Sequence, residues 1–130
     1  MLQRTVRDFA ERELAPRASQ IDEREEFPWE NVRGLASMGL FGLGIDSEYG
    51  GSGGTTRQVA IAIEEIARCC AATSTIYEAH LSLAIQTIHT FGTEGQKRRF
   101  VPPMVKGEKI GAFGLSEPGC GSDAAALQTT

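Results

Sequence analysis

The strongest constraint on the fold lies mid-chain, where a helix start and a helix face are written together. Thr55 is followed three residues later by Gln58, the reciprocal pattern that closes the first turn of a helix. Val59, Ala62, Ile63, Ile66, Ala67 and Cys70 then recur at i, i+3, i+4, i+7, i+8 and i+11. One face of a 3.6-residue helix collects all of these positions, so the segment must lie against other apolar surface. Four further segments can supply it. Leu2, Val6, Phe9, Ala10 and Leu14 predict a first helix running to about Pro16 or a little beyond. Pro28 suits the first position of a second, with Trp29, Val32, Leu35 and Ala36 inward and an end near Gly39. After a Thr/Ser-rich break at Thr73 to Thr75, a fourth helix carries Ile76, His80, Leu83, Thr87 and Phe91 and ends at Gly92. Thr93 and Gln96 repeat the start pattern for a fifth, which Pro102 and Pro103 should end or kink. Residues 41–54 hold six glycines and read as a loop.

The period then changes. Residues 109–115, KIGAFGL, read as a short strand. A lone strand exposes its backbone groups and needs a sheet. The expected fold class is therefore mainly α, a helical bundle followed by a single strand that wants a sheet, as a truncated chain would show.

Charge and composition exclude several function classes. A net charge of −4 over 130 residues disfavours wholesale binding to a phosphate backbone. The one basic run, Lys97-Arg98-Arg99, reads as a solvated helix face. No apolar stretch approaches the ~20 residues of a membrane span, and no targeting segment is visible, so the chain reads as soluble and intracellular. Three cysteines, two of them adjacent at Cys69 and Cys70, make neither a disulfide framework nor a CxxC metal site, and are expected reduced and buried. His80 and His89, nine residues apart, fall about half a turn from each other on one helix and are expected to pack or cap rather than share a metal. Glu64 and Glu65 diverge by about 100° on the third helix, so they are expected in solvent or in helix-packing salt bridges, not in one site.

The chemistry concentrates in GLSEPGCGSD, Gly114 to Asp123, which packs three glycines, a proline, two serines and two acids together without Lys or Arg. A Walker-type phosphate loop needs a Lys after its last Gly and is excluded. A dinucleotide fingerprint, G-x-G-x-x-A, is present as Gly119, Gly121 and Ala124, but Glu117-Pro118 separates it from the strand it should leave directly. A plain Gly/Pro turn capped by Asp123 is the third reading.

The string Gly-Leu-Ser-Glu-Pro-Gly-Cys-Gly-Ser-Asp resembles the signature loop of the flavin-dependent acyl-CoA dehydrogenases. So do FPWE at the second helix, the YGG loop, the IEEIAR helix and FGTEGQKRRFVPPMVKGEKIGAF, in that order, across essentially the whole chain. Ser116 with the ending AAALQTT is similar to the short-chain, butyryl-type branch. The resemblance implies an N-terminal α-helical domain over residues 1–107 and the start of the middle β-domain over 108–130. It implies FAD as cofactor, which accepts a hydride from the β-carbon of an acyl-CoA thioester while a carboxylate removes the α-proton, leaving a trans-2-enoyl-CoA. Phe113, Gly114, Leu115, Ser116, Gly119, Gly121 and Ser122 are the implied cofactor contacts, and Ser122 and Glu78 the implied substrate contacts. Glycines 119 and 121 are expected at φ > 0 with their amides turned to the cofactor, and Glu117 and Asp123 as acceptors that fix the loop. The family's base is a Glu in the C-terminal helical domain, so no catalytic residue is assigned here and the chain alone is expected to be inactive. The resemblance further implies a homotetramer that passes electrons to electron-transfer flavoprotein, in the cytoplasm of a bacterium or the mitochondrial matrix of a eukaryote. An acyl-CoA oxidase and a non-catalytic helical interaction module are the alternatives.

Overall fold

The computed structural model describes residues 1–129. Five helical runs build it. The first is α1 (Leu2–Phe9), continued through a π turn (Ala10–Leu14) and a 3₁₀ turn (Ala15–Arg17) into α2 (Ala18–Arg24). It therefore extends well past Pro16. A proline removes one N–H and crowds the carbonyl four residues earlier; here the turn before it widens, and the Ala15 N–H bonds the Ala10 carbonyl. Val6, Ala10 and Leu14 are buried as their spacing predicts.

The second run, α3 (Trp29–Ser37), has Pro28 just before its first turn and ends where Gly39 takes φ +69°. Val32 and Leu35 are inward, but Trp29 is not: it is half exposed and packs at a tilt against Phe27, ring centroids 4.6 Å apart. Asn31 is buried on this helix, donating from Nδ2 to the Thr73 hydroxyl at 2.9 Å. Residues 41–54 form the expected loop, closed on itself by backbone bonds such as Gly44 N–H to Gly53 C=O at 2.7 Å and Gly53 N–H to Ile45 C=O at 2.9 Å. Phe41, Ile45 and Tyr49 drop from it into the core.

The third run, α4 (Thr56–Ala67), starts on Thr55 with both halves of the reciprocal cap formed. The fourth is α5 (Ala71–Glu78), a π segment (Ala79–Ile85) and α6 (Gln86–Phe91). Its start corrects the sequence reading. The break falls at residues 68–70, and Thr73 and Ser74 lie inside the helix because their hydroxyls have tertiary work: Ser74 Oγ donates to the Ile63 carbonyl at 3.1 Å, and Thr73 Oγ1 accepts from Asn31. The buried face is also rotated. Tyr77, His80, Leu81, Ala84 and Ile85 point inward, while Leu83 and Phe91 are exposed, because π turns advance each residue by a smaller angle than the 3.6-residue period assumes. The fifth run, α7 (Glu94–Val105), carries Pro102 and Pro103 within its last turn and runs past both rather than ending there, each proline forgoing one helical N–H bond. Gly107, at φ +71°, stops it.

The two glutamates separate as expected. Glu64 is exposed, whereas Glu65 is buried and pins α4 to α1. Its carboxylate accepts from Arg7 Nε and Nη2, at 2.8 and 2.6 Å, together with Gln3 Nε2 and Arg68 Nη1, each at 2.8 Å. Those hydrogen bonds, Arg7's foremost, hold its pKa down to about 2. Among the described residues no helix is long and apolar enough to cross a membrane.

Candidate functional site

Beyond Gly107 the chain doubles back over the end of α7. The Glu108 and Lys109 amides both bond the Pro103 carbonyl, at 2.9 and 3.3 Å, and Ile110 packs against the core. The next tether is Gly111, whose N–H donates to His80 Nδ1 at 3.0 Å. His80 is fully buried, and its other nitrogen, Nε2, lies 3.0 Å from the Met104 carbonyl. An amide donor at Nδ1 and a carbonyl acceptor at Nε2 admit one form of the ring, neutral with its proton on Nε2. Burial lowers the His80 pKa in the same sense.

From residue 112 to 116 the chain is open to solvent, and none of these five N–H groups bonds elsewhere among the described residues. Phe113 and Leu115 are exposed apolar side chains in this run. The expected strand over 109–115 is therefore not formed. A strand is defined by its neighbour, and the only bridges among the described residues are the isolated pairs Leu43 with Gly53 and Glu117 with Cys120.

The second of those bridges closes a turn. Glu117 and Cys120 exchange backbone bonds of 2.9 and 3.2 Å around Pro118 and Gly119. Glycines 119 and 121 are not at positive φ, which corrects the sequence expectation. Pro118 at the second corner suits a turn whose third corner stays at negative φ as well as one whose third corner is left-handed, and the fold takes the former at Gly119. A Cβ on Gly119 would meet nothing, whereas one on Gly121 would lie 3.3 Å from Ser116 Oγ. The fold thus brings Gly121 against Ser116. The Glu117 carboxylate accepts the Thr129 amide at 2.9 Å and the Gln128 amide at 3.0 Å, and the bonds from these two residues hold its pKa below the ordinary carboxylate value. It is the loop-fixing acceptor that the sequence predicts. Asp123 is not: among the described residues its carboxylate makes no cap, and its backbone carbonyl accepts from the Ala126 amide.

A single 3₁₀ turn, Ala124–Ala126, follows. Among the described residues no strand precedes the dinucleotide fingerprint and a 3₁₀ turn stands where its helix should open, so the context it requires is not formed there. Ser122 is exposed on the loop. Glu78, half-buried at the end of α5, shares no hydrogen bond with the loop. All three cysteines are free, Cys70 buried as expected and Cys69 and Cys120 only partly so. The histidines work apart, His89 on Asp46 at 3.1 Å and His80 on the backbone, and no group of three metal-binding side chains occurs among the described residues.

Comparison with known proteins finds the family described as "Acyl-CoA dehydrogenase, N-terminal domain" over residues 1–108. The short-chain specific acyl-CoA dehydrogenase of Clostridium acetobutylicum is 46% identical over 129 residues, covering 99% of this chain and 34% of that protein. The acryloyl-CoA reductase (NADH) of Anaerotignum propionicum is 46% identical over 130 residues, covering 100% of this chain and 33% of that one. Among solved structures, butyryl-CoA dehydrogenase from Megasphaera elsdenii superposes with a TM-score of 0.88 at 37% identity, over 98% of this chain and 34% of that one. The chain thus spans about a third of the length of the curated relatives it matches.

Proposed function

This chain belongs to the acyl-CoA dehydrogenase family, and on that premise we propose that it supplies the helical body and the flavin-contacting run of an FAD-dependent dehydrogenase of short acyl-CoA thioesters. In this reading residues 1–107 are the helical domain and residues 108–130 open a β-domain, whose sheet would pair with 109–115.

The observation that carries the reading is the run 112–116. Among the described residues, five consecutive amides without partners, two exposed apolar side chains and an unbonded Ser116 hydroxyl stand together, with no Lys or Arg from Phe113 to Asp123. Such a surface fits a flat apolar ring with a hydrogen-bonding edge, and so it fits FAD. When bound, FAD would accept the hydride from the acyl β-carbon.

This chain's own part is to bind and orient. Phe113 and Leu115 cover apolar ring surface and keep water from it. The amides of the run and the Ser116 hydroxyl and amide donate where negative charge gathers, the preorganised arrangement that stabilises charge without a competing acid. Gly121 leaves room for Ser116 Oγ, which a bulkier residue would push against. Glycine 119 and Ser122 complete the loop, and Ser122 and Glu78 are the substrate contacts. Glu117 stays ionised and committed to the 128 and 129 amides, so it moves no proton. The α-proton is assigned to a carboxylate outside these 130 residues. Electron-transfer flavoprotein as acceptor, a homotetrameric assembly, and a bacterial cytoplasmic or mitochondrial matrix location complete the reading.

Anaerobic butyryl-CoA added to the flavin-loaded protein carrying this segment should bleach the flavin, and longer acyl chains should bleach it more slowly. Flavin that stays oxidised with every acyl-CoA tried would overturn the reading. The 46% identity to an acryloyl-CoA reductase favours a second reading, the same carbon chemistry run toward the saturated thioester. Faster turnover of a 2-enoyl-CoA with reductant than of the saturated thioester with oxidant would select it.

A further inference from the structure

We propose that His80 is a positioning residue for the flavin-facing run, acting as a neutral two-sided clamp that fixes where the chain leaves the helical body. The proposal rests on the flavin reading of residues 112–116.

Three contacts hold the ring. Phe41, itself fully buried, meets it edge to face with centroids 4.4 Å apart, Nε2 faces the Met104 carbonyl at 3.0 Å, and Nδ1 faces the Gly111 amide at 3.0 Å. The ring therefore joins three separate parts of the chain: the π segment that carries it, the last turn of α7, and Gly111, immediately before the open run. Gly111 is shaped for this contact. A Cβ there would lie 2.5 Å from the Ala84 Cβ and closer still to Met104 Cε, so the backbone passes at a distance only glycine allows.

The placement matters for what comes next. Phe113 is two residues beyond Gly111 and Ser116 five, and neither they nor the residues between have another hydrogen-bonded tether among the described residues until the turn at Glu117. The Gly111 bond thus sets the position and the facing of a run that otherwise hangs from Ile110. A hydrogen-bonding edge must be met within a few tenths of an ångström to be useful, so the clamp's effect should appear in how the flavin is held.

Two substitutions split the two bonds. His80→Asn places Oδ1 where Nδ1 stood and can still accept from Gly111, whereas His80→Gln reaches toward Met104 and leaves Gly111 without an acceptor. Hydrogen exchange at the Gly111 amide should quicken roughly fivefold to tenfold in His80→Gln and stay near the unsubstituted rate in His80→Asn. In the flavin-loaded protein, His80→Gln should weaken FAD binding by a similar factor and shift the flavin absorption bands and midpoint potential, with His80→Asn close to the parent. Unchanged exchange in His80→Gln, or equal acceleration in both variants, would overturn the clamp. Faster exchange without any change in FAD affinity or spectrum would overturn the positioning role and leave the flavin reading intact. No FAD uptake by the unsubstituted protein would overturn the flavin reading and the positioning role with it. Should a variant not fold, the ring nitrogens of the parent decide by NMR. A proton on Nε2 and a bare Nδ1 support the clamp, and the opposite tautomer or a doubly protonated ring overturns it.

Discussion

Gly111→Ala puts the packing under this run to a quantitative test. The new Cβ would stand 2.5 Å from the Ala84 Cβ, against an ordinary carbon–carbon contact of about 3.5 to 4.0 Å. Met104 can swing its methyl aside, but Ala84 sits on the π segment and has no rotamer to change. The chain at 111 must then back off by roughly 1 Å or more, which carries the 3.0 Å bond to His80 out to about 4 Å and breaks it. If it stays put, the crowding itself costs about 1 to 3 kcal/mol. If it moves, a fully buried Nδ1 loses its partner, which costs about 1 to 3 kcal/mol. These are alternative routes and not a sum, so a loss near 2 kcal/mol is expected, equivalent to about 6 to 8 °C in Tm for a domain of this size. Urea and thermal melts measure it. Ala84→Gly in the same molecule removes the immovable neighbour, and a double-mutant cycle should return a favourable coupling of about 1 kcal/mol despite glycine's own helix penalty. A Gly111→Ala protein within about 0.5 kcal/mol of its parent, or strict additivity with Ala84→Gly, would refute the reasoning.

Other expectations follow from the scaffold. The Glu65 pKa is depressed from 4.5 to about 2, so its contribution to stability is complete above about pH 4.5 and is lost as the pH falls toward 2. Urea titrations should show stability rising with pH across that window, with the slope reduced in Glu65→Gln; equal slopes in the two proteins would contradict this. Gly51→Ala should destabilise by about 3 kcal/mol, the upper end for overpacking, since its Cβ would press on the Ile45 carbonyl, a backbone group that cannot swing aside. A folded, equally stable variant by thermal melt would count against the tight closure of the 41–54 loop. Thr93→Ala removes one half of a reciprocal cap and should cost about 1 kcal/mol, read as fraying of α7 by hydrogen exchange.

What was legible in the sequence was local. Thr55 with Gln58 and Thr93 with Gln96 each write a helix start within four residues, and both caps form. The face of α4 follows from its period because the helix is regular. The face of the fourth run does not, because the π segment from Ala79 to Ile85 has no proline or glycine to announce it. Thr73 and Ser74 look like a break because their partners, Asn31 and the Ile63 carbonyl, are distant in sequence. Trp29 is apolar by type and outward by placement, since Phe27 and not the core receives it. The loop's polarity and its lack of cations were legible, whereas the glycine that matters most for close approach was not. Glycines 119 and 121 draw the eye within the motif, but Gly111 is the one pressed against Ala84 and Met104. His80 gave no signal of its role, because a lone histidine on a helix face cannot reveal a partner that is a backbone amide 31 residues away.

The central claim is that residues 112–116 hold a flavin through their own amides. Hydrogen exchange of the protein carrying this segment, with and without FAD, tests it most directly, because the amides from 112 to 116 have no partners among the described residues and should exchange freely until a ligand supplies them. The account predicts that FAD slows exchange in this run by at least about tenfold while α1 and α4 remain unchanged, and that Ser116→Ala weakens the effect at 116 and its neighbours. Protection elsewhere, with residues 112–116 exchanging as fast in the presence of FAD as in its absence, would contradict it.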